Sequence, residues 1–233
     1  MKYKLSNTAS IKELEEFTGL PLKHPNVYAK SPIITGFQEA ITPVITENNP
    51  KEIEFGIWGL LPDNFNEDWE VFQNAIDTLT INPSNIDEDI LFNESLNLKK
   101  CVVAVTGFFT SYLHNGKIYP YYVYSENKDP FFLAAYYNTL TDGFITFSIV
   151  LNTVDSNIKK IQNLSKLTPK VLSSADKDIW LNKNFSKLEL TEFIDKPTGV
   201  SLKSHTISKD LFNMGISYYS MFDEVKYSEL IQK

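Results

Sequence analysis

Cys101-Val-Val-Ala-Val-Thr-Gly-Phe-Phe-Thr110 is the stretch that decides the fold. Its first half is an unbroken apolar run with several β-branched residues, the pattern of a strand buried on both faces. With 101–109 as the first, three more strand candidates follow closely, at 118–125, 130–137 and 144–152, and the last is again continuously apolar. Tyr119-Pro-Tyr-Tyr-Val-Tyr124 and Pro130-Phe-Phe-Leu-Ala-Ala-Tyr-Tyr137 are joined by Ser-Glu-Asn-Lys-Asp, which predicts a hairpin. Upstream, Ile53 to Trp58 predicts a strand that Leu61-Pro62 ends. Neighbouring strands with helices at both ends predict an α+β chain, a single domain over 1–233, with a curved, mixed and mostly antiparallel sheet.

Helices are expected around this sheet. Ser10-Ile-Lys-Glu13 is a capping box that opens a short helix to about Phe17. Apolar residues at three-to-four spacing predict helices over 68–79 and 85–96. Further short helices are predicted at 156–163, at 176–182 after Ser173-Ser-Ala-Asp176, and at 186–195, with a late strand near 203–208. Residues 20–50, rich in proline, threonine and asparagine, read as loop with short extended pieces.

Composition narrows the function. At 233 residues and 42% hydrophobic the chain can bury a sizeable core. Its formal charge of −7 favours solubility and works against non-specific nucleic-acid binding. The single Cys101 excludes an internal disulfide and, inside an apolar run, reads as a buried small hydrophobe. There is no secretory signal core and no apolar stretch near the ~20 residues of a membrane helix, so a cytoplasmic location without membrane partners is expected.

The chemistry-bearing motifs are sparse. His24, His114 and His205 are scattered, and neither CxxC nor HExxH occurs, so no metal site is expected. Glycines in phosphate-loop or dinucleotide spacing are absent, as is the GxSxG elbow, and no cofactor is expected. The tyrosines at 119, 121, 122 and 124 could stack nucleobases, but a hydrophobic sheet face explains them more simply.

Four blocks in fixed order carry more information: Phe55-Gly-Ile-Trp-Gly-Leu-Leu-Pro62, Gln73-Asn-Ala-Ile-Asp-Thr-Leu79, Cys101 to Thr110, and Lys160-Ile-Gln-Asn163. Together they resemble the SOS-response-associated peptidase (SRAP) family, whose members capture abasic sites in single-stranded DNA. Trp58-Gly-Leu-Leu-Pro62 is similar to the family's tryptophan-glycine-leucine-x-proline signature. Thr106-Gly-Phe-Phe-Thr-Ser111 resembles its aspartate-glycine-phenylalanine-tyrosine-glutamate-tryptophan block. Tyr119-Pro-Tyr-Tyr, Asp129-Pro-Phe, Thr146-Phe-Ser-Ile-Val, Pro169, Trp180-Leu181 and Ile207-Ser208 fit later landmarks. The resemblance spans essentially the whole chain and implies a barrel-like sheet flanked by short helices.

It also implies where the family's chemistry should sit, and those positions hold other residues. The nucleophilic cysteine that follows the initiator methionine is Lys2 here, the glutamate is Thr110 and the histidine is Gln162. Neither Thr110 nor Gln162 titrates usefully. Asn74 alone keeps its identity. An arginine beside that asparagine has become Ile76, another falls at Leu167, and Lys4 stands for an N-terminal arginine. DNA contact is therefore expected from Lys4 and Asn74 only. The family's peptidase, lyase and cross-linking activities are expected to be lost, leaving a degenerate scaffold with weak single-stranded DNA binding. The alternative is a non-enzymatic module for an unidentified protein or small ligand. A third route, a Schiff base on the Lys2 or Lys4 amine, is opposed by the protonation of exposed lysines near pH 7.

Overall fold

A computed structural model describes residues 4–63, 65, 67–82, 98–213 and 222–231. Lys2 and the helix expected at 85–96 lie outside the described residues. The strands are β1 (Lys4–Asn7), β2 (Ser31–Thr35), β3 (Ile41–Thr46), β4 (Glu54–Trp58), β5 (Thr80–Ile81), β6 (Lys99–Val105), β7 (Gly107–His114), β8 (Lys117–Ser125), β9 (Phe131–Thr139), β10 (Ile145–Thr153), β11 (Leu167–Pro169), β12 (Val171–Leu172) and β13 (Leu202–Thr206). The main helices are α1 (Ile11–Thr18), α2 (Trp69–Ala75), α3 (Ser174–Asn182) and α4 (Lys187–Asp195).

Two β-systems result. Strands β10, β4, β3, β6 and β9 pair in that order, and β9 pairs again with β10, closing a five-stranded barrel. Every barrel contact is antiparallel except β10 with β4. The second system is an antiparallel sheet in the order β13-β8-β7-β1-β2. The expected α+β, barrel-like class is therefore the observed one.

Alternation along the barrel strands divides the core. Cys101, Val103 and Val105 of β6 pack with Leu133, Phe147, and with Leu5, Phe108 and Val123 of the second sheet. Val102 and Ala104 point the other way and pack with Leu14 of α1, Trp180 of α3 and Phe193 of α4. The indole of Trp180 donates to Cys101 O at 2.9 Å, which seats α3 on β6. Cys101 is fully buried and its thiol is pushed well up by burial, the behaviour of a small hydrophobe. The caps at Ser10 and Ser173 are as expected: Ser10/Glu13 form a reciprocal box and Ser173 accepts from Asp176 N; Ser186/Glu189 form a second reciprocal box that was not anticipated. No helix among the described residues is long and apolar enough to cross a membrane.

Four expectations need correction. The strand expected over 101–109 is cut at Thr106, where the chain leaves the barrel for the second sheet. Strands β8 and β9 do not form a hairpin, because β8 pairs with β7 and β13 while β9 pairs with β6, β10 and β12. The true hairpin joins β7 to β8 through Asn115-Gly116, both at positive φ (48° and 74°), as a two-residue turn of primed type requires. The short extended pieces expected within residues 20–50 are two sheet strands rather than parts of a loop: Pro32 lies on the edge strand β2, and Pro43 precedes the β3–β6 ladder, which begins at Val44. Finally, the helix expected at 156–163 is a single 3-10 turn over Ile158–Lys160.

Two features give measurable consequences. A Cβ on Gly107 would meet the Tyr122 ring at 2.4 Å, so Gly107→Ala should destabilise the fold by about 1–3 kcal/mol in urea unfolding. Lys170, between β11 and β12, is 3% exposed, and burial lowers its amine to about 8. The unfolded chain keeps that proton to about pH 10.4, so it binds more protons than the native state between about pH 8 and 10.4. Stability relative to Lys170→Met should accordingly rise with pH across that window. Tyr136 and Tyr137, both raised to about 12 by burial, act oppositely above pH 10 but cancel in the comparison.

Candidate functional site

The geometry begins where β7 leaves the barrel. Thr106 Oγ1 accepts from Thr8 N at 3.0 Å, Thr106 N donates to Ser6 O at 2.8 Å, and Tyr122 Oη donates to Thr106 O at 3.2 Å. With that residue fixed, alternation sends Phe108 into the core and Phe109 to the opposite face, against Tyr122, Ile207 and Leu211. Thr110 shares the parity of Phe108 and is 5% exposed.

The turn after β10 meets it there. Asp155 Oδ1 accepts from Asn157 N (2.8 Å) and Ile158 N (2.9 Å), starting the 3-10 turn, and Gln162 N donates to Ile158 O at 2.9 Å. Thr110 Oγ1 donates to Gln162 Oε1 at 2.5 Å. Gln162 Nε2 in turn donates to Ser165 O (3.1 Å) and Leu167 O (2.7 Å). The adjacent Asn163 clamps β7 from both sides: Leu113 N donates to its Oδ1 at 2.7 Å, and its Nδ2 donates to Leu113 O at 2.9 Å.

Thr110 and Gln162, more than fifty positions apart in the chain, are thus brought into direct contact. Their contact is a neutral hydrogen-bond network in which the hydroxyl proton and both amide protons are already used. Such a network fixes a loop; it has no group able to exchange protons near neutral pH.

The remaining expected site residues lie elsewhere. Asn74 is exposed on α2, a helix held by buried Trp69 and by Gln73 Nε2 donating to Thr78 Oγ1 at 2.6 Å. No hydrogen bond among the described residues joins Asn74 to Thr110 or Gln162. Lys4 is cross-strand from Phe109 and Thr35, which puts it on the face opposite Thr110. It is half-buried without a carboxylate partner among the described residues, and burial lowers its amine pKa. Ile76 follows the last turn of α2, and Leu167 gives the network its backbone carbonyl.

Other residues surround the pair that pattern reading did not select. Lys159, Lys160 and Lys166 are exposed on the same turn that carries Gln162. Tyr121 is the cross-strand partner of Thr110, and Tyr112 follows it on the same face; both are half-buried. Burial raises the Tyr121 hydroxyl, with nearby Tyr112 adding to the effect. The tyrosine stripe therefore splits: Tyr122 and Tyr124 pack with Phe109 and Phe222, while Tyr121 stays beside the network. The lysines had a sequence signal, three within eight positions, in a chain whose 22 basic residues are all lysine.

The profile of the SOS response associated peptidase (SRAP) family matches residues 5–214. The chain belongs to this family. No curated protein matches it. Among solved structures, a Bacteroides thetaiotaomicron protein superposes with TM-score 0.80 at 21% identity, covering 96% of this chain and 99% of its own. A Bordetella bronchiseptica protein gives TM-score 0.67 at 11% identity, covering 89% and 100%. A phage-related protein of the same organism gives 0.58 at 13%, covering 88% and 94%. At these identities the likeness is one of fold.

The buried bond makes a stability prediction. Thr110→Val would leave Gln162 Oε1 without its donor and should cost about 1–3 kcal/mol in chemical denaturation. Thr110→Ser, which keeps the hydroxyl, should recover most of that loss.

Proposed function

We propose that this SRAP-family protein binds single-stranded nucleic acid through the face around Thr110 without the covalent capture that the family resemblance implies. The observation that carries the reading is the Thr110–Gln162 hydrogen bond at 2.5 Å, flanked by the exposed Lys159, Lys160 and Lys166. By the family resemblance Thr110 and Gln162 stand where an acid/base pair is expected, and neither side chain titrates near neutral pH. The lysines put positive charge beside it, against a net charge of −7 for the whole chain. Tyr112 and Tyr121 offer partly exposed rings at the same edge, and aromatic rings stack on bases with little sequence preference.

Lysine fits the weak end of the range, since it meets phosphate as a point charge and lacks the bidentate fork of arginine. Three such contacts on a single strand predict a log–log salt slope of about −2. Fluorescence anisotropy with a labelled oligonucleotide between low and physiological salt should show that slope. The variant Lys159→Gln/Lys160→Gln/Lys166→Gln should flatten it, and borohydride should trap no adduct on an abasic oligonucleotide. Absence of binding at low salt, or binding indifferent to the triple variant, would overturn the reading.

A second reading, a protein-interaction module, is favoured by the exposed Leu113 and Ile118, cross-strand neighbours at the β7–β8 tip, with Leu164 nearby in sequence to Asn163. It is distinguished by a folded protein that binds no oligonucleotide at any salt concentration.

A further inference from the structure

A cavity of about 360 Å3 lies between the β10–β11 end of the barrel, the C-terminus of α4 and the start of β13. Neither Thr110 nor Gln162 lines it. Its walls include Phe108, Val154 and Leu202, Lys170 contributes to its lining, and Asp155 and Asp195 stand exposed at its edge.

The position of Lys170 is fixed by its backbone. Lys170 N donates to Val150 O at 2.8 Å, and Lys170 O accepts from Ala134 N at 2.9 Å. Its side chain runs beneath the end of α4, where Nζ donates to Lys196 O and sits 5.7 Å from the Phe193 ring centre. Among the described residues no carboxylate forms an ion pair with it; the neighbouring Asp176 is engaged instead by Lys196 at 3.2 Å. A lysine 3% exposed and hydrogen-bonded to a neutral carbonyl is an unusual arrangement: burial lowers its amine and outweighs the nearby Asp176 and Asp195, which favour the ammonium form, while Lys196 opposes it.

We propose that Lys170 is an amine nucleophile that forms a reversible imine with small, uncharged aldehydes entering this cavity. The uncharged amine attacks the aldehyde carbon. A C–N bond forms, and the carbonyl π pair moves to oxygen, which takes a proton to give a carbinolamine. That hydroxyl then leaves as water as the nitrogen lone pair forms the C=N bond. The protonated imine keeps one N–H, so the hydrogen bond to Lys196 O survives the reaction. With its amine near 8, roughly a tenth of Lys170 is uncharged at pH 7, against fewer than one in a thousand for an ordinary exposed lysine. The apolar walls favour a hydrocarbon or aromatic body. The two rim carboxylates disfavour anionic aldehydes such as sugar phosphates or glyoxylate.

The test is reductive trapping on the full chain. Benzaldehyde and borohydride should give one dominant benzyl adduct, located on Lys170 by peptide mapping. At pH 7 it should form on the order of tenfold or more faster than at surface lysines. Its rate should rise with pH to a midpoint near 8, and glyoxylate should label Lys170 poorly. Lys170→Arg, which keeps a cation beneath α4, should abolish the adduct with an unchanged circular dichroism spectrum. Labelling spread over surface lysines according to exposure, or none at Lys170, would overturn the proposal. Mapping the wild-type chain decides the matter even where the variant does not fold. Oligonucleotide binding uses different lysines, so either reading can fail without the other.

Discussion

The structure turns on one crossing, Thr106-Gly107, where a continuous stretch of chain stops belonging to the barrel and begins to belong to the second sheet. Two different physical requirements meet there. Thr106 must satisfy the backbone and hydroxyl groups freed by the change of partner, and it does so with Ser6, Thr8 and Tyr122. Gly107 must have no side chain, because the Tyr122 ring occupies the space a Cβ would need. Everything downstream inherits its phase from this crossing. Had the chain continued in register, Phe108 and Thr110 would not face the core side and the turn bearing Gln162.

That geometry leaves a joint that contains no ionisable group. Thr110 and Gln162 still join β7 to the turn after β10, and the joint is made entirely of neutral donors and acceptors. Buried charges are costly unless well paired, whereas a satisfied neutral network carries no such penalty. The absence of arginine from the whole sequence belongs to the same account. Fork-like phosphate recognition is unavailable anywhere on this surface, and what electrostatic attraction exists is the diffuse kind that lysines provide.

Much of the architecture was legible in the sequence because it rests on local rules. The apolar runs at Cys101–Val105 and Ile145–Leu151 read as doubly buried strands, and the Ser10 and Ser173 caps placed helices within a residue or two. What stayed hidden depends on distant partners. Residues 20–50 read as no more than loop with short extended pieces, because Val44 and Ile34 gain their full strands from pairing with β6 and β1. The β7–β8 hairpin did carry a local signal, Asn115-Gly116, which the aromatic runs on either side of residues 125–129 outweighed. In the site, residue types at Thr110 and Gln162 could be read but their contact could not. Lys4 was read as a DNA contact although strand alternation places it on the other face, and Lys159, Lys160 and Lys166 stood out only once their turn was seen against β7.

The double amide clamp of Gln162 and Asn163 has a mechanical consequence. None of its members changes protonation under physiological conditions, so the attachment of this turn to β7 is indifferent to pH, and buried Gln162 is screened little by salt. The lysines it carries are the opposite: their field reaches outward only as far as the surrounding ions allow. The turn is thus a rigid mount for an adjustable field. Ionic conditions can alter how strongly this surface attracts an anion while leaving its shape unchanged.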